Sequence, residues 1–229
     1  MNEKVLIIIP AYNEQDTIFN TVNKVKMLKD YDYIVVNDGS SDRTKDILEE
    51  NNFNYLDLPI NLGIGGAMQA GYKYALRNNY DYAIQLDADG QHDPDDLKIL
   101  VNTIKNSEYD MVIGSRFIEK TNYKGSFFRR VGIYYFYLMI KALTGVKVTD
   151  PTSGYRIVNK RIIKEFAKRY PQDYPEVEVV VDLAKKKYKI KEVKVEMKSR
   201  QGGNSSITPI KSIYYMTKVS FFSLIRRVF

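Results

Sequence analysis

Hydrophobic and polar positions follow two alternating rhythms along the first half of the chain. Short apolar runs rich in β-branched residues occur at 4–9 (KVLIII), 31–38 (YDYIVVND), 55–60 (YLDLPI), 80–87 (YDYAIQLD) and 109–116 (YDMVIGSR). Stretches with helical spacing separate them at 14–28, 42–50, 65–77 and 94–105. Interleaving of this kind predicts βαβ units around a mostly parallel sheet. Each run ends in polar residues: Tyr12-Asn13-Glu14, Asn37-Asp38-Gly39-Ser40, Asn61-Leu62-Gly63, Asp87-Ala88-Asp89 and Gly114-Ser115-Arg116. Ligands of open α/β sheets bind beyond the carboxyl ends of the strands, so these ends are expected to converge on one nucleotide-binding crevice.

After about residue 120 the rhythm changes to a long aromatic helix candidate at 127–143, a polar turn (TDPTSGYR), two further helical stretches and a basic strand at 190–197. No internal repeat or low-complexity linker marks a second autonomous domain, so one α/β domain with helices on both faces of its sheet is expected. The tail, 207–229, places Ile210, Ile213, Tyr214, Phe221, Leu224, Ile225 and Val228 on one helical stripe, with Thr217 the exception and Lys211, Lys218 and Arg226 elsewhere. Such a helix suits packing on the domain, a dimer interface, or the interface of a bilayer.

Composition narrows the chemistry. The 229 residues, 44% of them hydrophobic, suffice for a substantial core. The absence of cysteine excludes disulfides, iron–sulfur clusters and thiolate zinc sites, and a single histidine argues against a His-rich metal centre. Carboxylates, arginines and backbone amides remain. A net charge of +7 favours an anionic partner, and the basic residues gather after Lys185 among aromatic and apolar ones. The opening MNEKVLIIIPAYNE lacks a small-residue cleavage site, and the longest apolar run, 133–140, is far shorter than the roughly 20 residues of a spanning helix. A cytoplasmic or peripherally membrane-associated protein without signal peptide or transmembrane helix is expected.

The densest chemistry lies in LDADGQHDP, residues 86–94. Asp87 and Asp89 at a strand end offer hard oxygen donors suited to Mg²⁺ or Mn²⁺ bridging nucleotide phosphates. A calcium loop is excluded, since Gly90 is fourth rather than sixth from Asp87 and the twelfth position holds Lys98. Asp93, Pro94, Asp95 and Asp96 read as the capped, acidic first turn of the next helix, and His92 reads as a loop residue or a substrate contact. In NDGSSDRT, Asp38-Gly39 forms a turn and Ser41 or Asp42 caps a helix, unless Asp38 receives a nucleobase. NLGIGGAMQAGY has Met68 where a dinucleotide fingerprint needs glycine, and no P-loop occurs.

Taken in order, IIIPAYNE, VVNDGSSDRT, NLGIGGAMQAGY, QLDADGQHDP, GSR, DPTSGYR and SRQGGNSS resemble glycosyltransferase family 2 with its GT-A fold. The resemblance is to the branch containing dolichyl-phosphate mannose synthase and bacterial polyprenyl-phosphate glycosyltransferases. It implies a GT-A, Rossmann-like domain over 1–206, with a nucleotide-sugar half at about 1–116 and an acceptor half at about 117–206. It also implies a nucleoside pocket of Pro10, Tyr12, Glu14 and Gly63, with Asp38 facing the base. Asp87 and Asp89 match the Asp-x-Asp pair for Mg²⁺ or Mn²⁺, Gln91 a further metal or phosphate ligand, and Arg200 a pyrophosphate-neutralising arginine. Arg116 and Arg130 match arginines that hold an acceptor phosphate. Tyr134 stands where that branch carries a serine, and Arg129 is an alternative to Arg130.

The implied reaction is inverting transfer of a hexose from a nucleotide-sugar, UDP-hexose in preference to GDP-mannose, to a polyprenyl phosphate at the cytoplasmic membrane face. A phosphate monoester is largely ionised at neutral pH and needs positioning rather than a base. The alternative acceptor, a saccharide hydroxyl, needs a general base, for which Asp150 or Glu178 is the candidate. Asp150 also reads as a turn residue or a neighbour of the donor sugar, and Glu178 as a solvated residue of a helical first turn. A homo-oligomer is compatible with the tail, nucleic acid is not an expected partner, and a non-catalytic anion-binding module is the remaining rival.

Overall fold

The computed structural model describes residues 3–90, 96–118, 127–173 and 175–196, with side chains 127–129 excepted. Gln91, His92, Asp93, Asp95, Arg200, the side chain of Arg129 and the whole 207–229 stripe therefore lie outside the described residues. Among the described residues, seven strands form one sheet: β1 (Val5–Ala11), β2 (Asp32–Asn37), β3 (Tyr55–Asp57), β4 (Tyr82–Gln85), β5 (Met111–Ser115), β6 (Arg156–Asn159) and β7 (Ile190–Lys194), in the order β3-β2-β1-β4-β6-β5-β7. The helices are α1 (Ile18–Lys26), α2 (Thr44–Glu50), α3 (Gly63–Arg77), α4 (Asp96–Lys105), α5 (Phe127–Thr144), α6 (Lys160–Lys168) and α7 (Pro175–Lys185).

The central strand β1 is buried at every position, and its alternating side chains feed two cores. Leu6 and Ile8 join residues of α3, α5, α6 and α7, whereas Val5, Ile7 and Ile9 join residues of α1, α2 and α4. Helices on both faces bury the central strands β1 and β5 at every position, which is why these are apolar runs, whereas the edge strands β3 and β7 stay partly exposed.

β6 is the exception to parallel pairing, running antiparallel to both β4 and β5. With Arg156 opposite Gln85 and Ile113, the residues preceding β6 lie at the carboxyl ends of β4 and β5. The DPTSG turn is thereby carried to the edge where Asp87 and Arg116 emerge. The strand is only RIVN and passes directly into α6, because Asn159 ends β6 and caps the helix by accepting from the N–H groups of Arg161 and Ile162 at 3.1 and 3.2 Å.

Candidate active site

The loops after β1 and β2 are laced together. Asn13, at φ 55°, donates its N–H to Ser40 Oγ at 3.0 Å and accepts from Ser41 N at 2.8 Å, while Glu14 N donates to Thr44 Oγ1 at 2.8 Å. Asp42 takes the N–H of Thr44 at 2.9 Å with one oxygen and that of Gln15 at 3.1 Å with the other; the N-cap of α2 is Arg43, so neither Ser41 nor Asp42 occupies the cap position expected of it. These bonds hold Pro10, Tyr12 and Glu14 along one wall of a cleft of about 460 Å³.

Asp38 lines the same cleft. Its backbone N–H donates to Ala11 O at 2.9 Å, and its Oδ1 accepts from Leu62 N at 2.7 Å. Burial raises the Asp38 pKa, and the N–H groups of Leu62 and Gly63 oppose that rise. Gly39 sits at φ 63° with Ile60 and Asn61 packed where a Cβ would go, so only glycine lets this turn reach the start of α3. A Cβ at Gly65 would strike the carbonyls of Pro171 and Gln172, which makes that glycine a packing device rather than half of a dinucleotide fingerprint.

Asp87, Asp89 and Gly63 complete the cleft with one residue that the sequence did not single out, Glu176. Gln85 Nε2 donates to Asp87 Oδ1 at 3.2 Å, and a Cβ at Gly154 would lie 3.0 Å from Asp87 Oδ2. The DPTSG turn thus presses directly on the first carboxylate of the pair. Two carboxylates fit the oxygen preference of Mg²⁺ or Mn²⁺ and leave coordination positions for phosphate oxygens. Among the described residues, no three acidic or histidine side chains gather into a cage.

Glu176 follows Pro175 in the first turn of α7, and burial raises its carboxyl pKa; Arg156 opposes the rise and Asp87 adds to it. Arg156 is fully buried and donates to the carbonyls of Ser153, Pro151 and Glu176, tying α7 to the DPTSG turn. Glu178 was expected to be solvated, but it is buried, because α7 is enclosed at every position from Val177 to Val181, while Glu176 lines the cleft. Pro175 at the first helical position is a local mark of the helix start, yet only the packing of α7 reveals which acid lines the cleft.

Arg116 and Asp150, assigned separate tasks from sequence, meet as a bidentate pair. Arg116 Nε donates to Asp150 Oδ2 and Nη2 to Oδ1, both at 2.6 Å, and Arg116 N adds a bond to Oδ2 at 3.1 Å. Their side chains are 2% and 0% exposed. The guanidinium also lies 5.5 Å from the Phe117 ring centroid. Phe117 and Thr149, the chain neighbours of this pair, line a second, mainly aromatic cavity of about 320 Å³ with Arg130, Ile133, Tyr134 and Tyr137. The structure therefore connects the Asp87 side of the cleft, through the DPTSG turn and the buried pair, to exposed Arg130.

The profile described as "Glycosyl transferase family 2" matches residues 6–167. The chain is 33% identical over 189 residues to the UDP-N-acetylglucosamine–dolichyl-phosphate N-acetylglucosaminyltransferase of Methanococcus voltae, covering 72% of this chain and 75% of that protein. It is 33% identical over 162 residues to the undecaprenyl-phosphate mannosyltransferase of Micrococcus luteus, covering 67% of this chain and 65% of that one. In fold it is similar to glucosyl-3-phosphoglycerate synthase from Mycobacterium tuberculosis, solved with Mn²⁺, UDP and phosphoglyceric acid. That match has a TM-score of 0.76 at 18% identity, over 99% of this chain and 78% of that one.

Proposed function

The chain belongs to glycosyltransferase family 2, and from that premise we propose that it transfers a hexose, with inversion, from a nucleotide-diphosphate sugar to a polyprenyl phosphate at the cytoplasmic face of a membrane. One observation carries this reading: the turn before β6 links the acidic cleft at Asp87 to the Arg116–Asp150 pair and the aromatic cavity beside Arg130. The named relatives that act on dolichyl and undecaprenyl phosphates support the same acceptor class.

In this mechanism Pro10, Tyr12, Glu14 and Gly63 enclose the nucleoside, and Asp38, with one oxygen already taken by Leu62 N, receives the base. UDP-hexose is the favoured donor and GDP-mannose the second candidate. Asp87 and Asp89 would hold Mg²⁺ or Mn²⁺, which would neutralise charge on the diphosphate, and the resemblance would add Gln91 as a further ligand and Arg200 as a second source of positive charge. Asp150 fixes the Arg116 guanidinium, and exposed Arg130 meets the acceptor as it arrives. Both arginines orient a phosphate oxygen toward the anomeric carbon. The new C–O bond forms as the bond to the nucleoside diphosphate breaks, and because the attacking phosphate oxygen is already ionised, no side chain need remove a proton.

A second reading, transfer to a saccharide hydroxyl, is favoured by one feature. Glu176 stands in the cleft with a raised pKa, as a general base should. Asp150 serves that reading poorly, since both its oxygens bind Arg116, and Glu178 does not line the cleft. Radiolabelled UDP-hexoses and GDP-mannose, incubated with Mn²⁺, short-chain polyprenyl phosphate and membrane extract, separate the two. Label in extractable lipid phosphate supports the proposal, whereas label confined to water-soluble glycan overturns it.

A further inference from the structure

β7 carries one acid, Glu192, in the basic sequence IKEVK. Its ordinary role there is an exposed ion pair with a neighbouring lysine. The carboxylate instead turns to the DPTSG loop and accepts from two successive backbone amides, Thr149 N at 2.7 Å on Oε2 and Asp150 N at 2.8 Å on Oε1. Thr149 Oγ1 touches both oxygens at 3.1 Å and also pairs with Ser115 Oγ at 3.0 Å. The two amide bonds have the length of charge-assisted hydrogen bonds. Glu192 lies opposite Ile113 in the parallel β5–β7 pairing, so it grips the turn from the strand next to β5, which ends one residue before Arg116.

We propose that Glu192 is a positioning residue for the acceptor end of the site: it fixes the Thr149–Asp150 backbone so that Asp150 presents both oxygens to Arg116. The consequence for acceptor binding rests on the reading that Arg116 orients the acceptor phosphate. Two carboxylate oxygens facing two amide N–H groups define the place of the Asp150 Cα. An amide side chain in place of the carboxylate turns one acceptor into a donor that faces an N–H, and the turn must shift. Arg116 then loses its alignment while the nucleotide-binding loops, built from other strands, keep theirs.

The test uses full-length Glu192→Gln beside the wild-type protein, with three readouts. Mn²⁺–UDP affinity should stay within about twofold. The KM for polyprenyl phosphate should rise at least about tenfold, with kcat changing by less than about threefold. Phenylglyoxal labelling of Arg116, followed by peptide mass mapping, should accelerate at least about fivefold, as it should in Asp150→Asn. Unchanged Arg116 labelling in a folded variant, or equal damage to UDP binding, overturns the proposal. Thr149→Val keeps Glu192 and removes the hydroxyl that touches both it and Ser115 Oγ. It should raise Arg116 labelling less but in the same direction, and no rise in that variant also overturns the proposal. If the wild type uses no lipid acceptor while Arg116 labelling still rises, the acceptor reading fails and the positioning role stands.

Discussion

Asp150 grips Arg116 with both carboxylate oxygens at 2.6 Å, in a pair that exposes at most 2% of either side chain. Removing one partner of a buried ion pair strands the other charge, at a cost of about 3–5 kcal/mol. Asp150→Asn should therefore lower the unfolding free energy by an amount near the bottom of that range, because the amide keeps one acceptor. The double replacement Arg116→Met with Asp150→Leu should recover most of the stability and none of the transferase activity. Urea titration with parallel transfer assays checks both outcomes. A stable but inactive double variant shows that the pair is kept for its function.

The approach of Gly154 to Asp87 yields a different signature. A Cβ at 154 would come to 2.8 Å from Gln85 Nε2 and 3.0 Å from Asp87 Oδ2. Gly154→Ala should displace the Asp87 carboxylate and weaken Mn²⁺-dependent UDP binding by about tenfold. Asp89→Asn, which removes a charged donor altogether, should reduce transfer on the order of 100-fold or more. Isothermal titration with and without Mn²⁺ measures both. Equal UDP affinity in wild type and Asp89→Asn, with Mn²⁺ present, would remove Asp89 from the metal site.

Much of this arrangement was legible because it depends on local pattern. The apolar runs announced the strands of a mostly parallel sheet, and polar residues after β1, β2, β3 and β4 do line one cleft, whereas Gly114, Ser115 and Arg116 after β5 do not line it. α1 begins at Ile18 rather than Glu14 because the Glu14 carbonyl accepts from both Thr17 N and Ile18 N, at 3.0 and 2.9 Å, in a turn that precedes the helix. β6 gave a weak signal, since a four-residue strand with Arg156 at its start and a helix cap at its end carries little period. The linking of Arg116, Asp150 and Glu192 was not legible, because it depends on β6 running antiparallel between β4 and β5. The contrast between Glu176 and Glu178 was hidden for a related reason: α7 is buried on all sides from Val177 to Val181, and what packs around it decides which acid meets the cleft.

Glu176 gives the fold a pH dependence whose sign follows from its raised pKa. Between the ordinary value of 4.5 and the higher native value, the folded protein holds a proton that the unfolded chain has released. The slope of unfolding free energy with pH is proportional to protons bound unfolded minus folded, so it is negative in that window. Stability from this group is fully present below the ordinary value and falls as pH climbs through the native one. Asp38 and Glu192 shift in the same direction. Each group contributes at most about 1.4 kcal/mol per pH unit. Glu176→Gln should flatten the decline and be more stable than wild type at neutral pH, as read by urea midpoints across pH 4 to 8 (about one point per half unit). If transfer survives in that variant, Glu176 is not a general base.

Helix α5 bears on where the enzyme works. Ile133, Phe136 and Ile140 are buried in the domain, yet Val131, Tyr134, Tyr135 and Leu138 are 48, 61, 38 and 45% exposed. Their spacing of three, four and seven residues places them on one outward stripe, which begins next to exposed Arg130. No helix among the described residues is long and apolar enough to cross a membrane. An apolar stripe beside a cation suits contact with an anionic bilayer surface, where apolar burial and charge attraction reinforce each other. Tyr134→Glu combined with Leu138→Glu should cut sedimentation with phosphatidylglycerol vesicles by about tenfold and leave Mn²⁺–UDP binding unchanged. Transfer to a water-soluble short-chain acceptor should fall less than transfer to vesicle-borne acceptor, since only the latter requires docking. Equal vesicle binding by wild type and the double variant would show that α5 is not a bilayer contact.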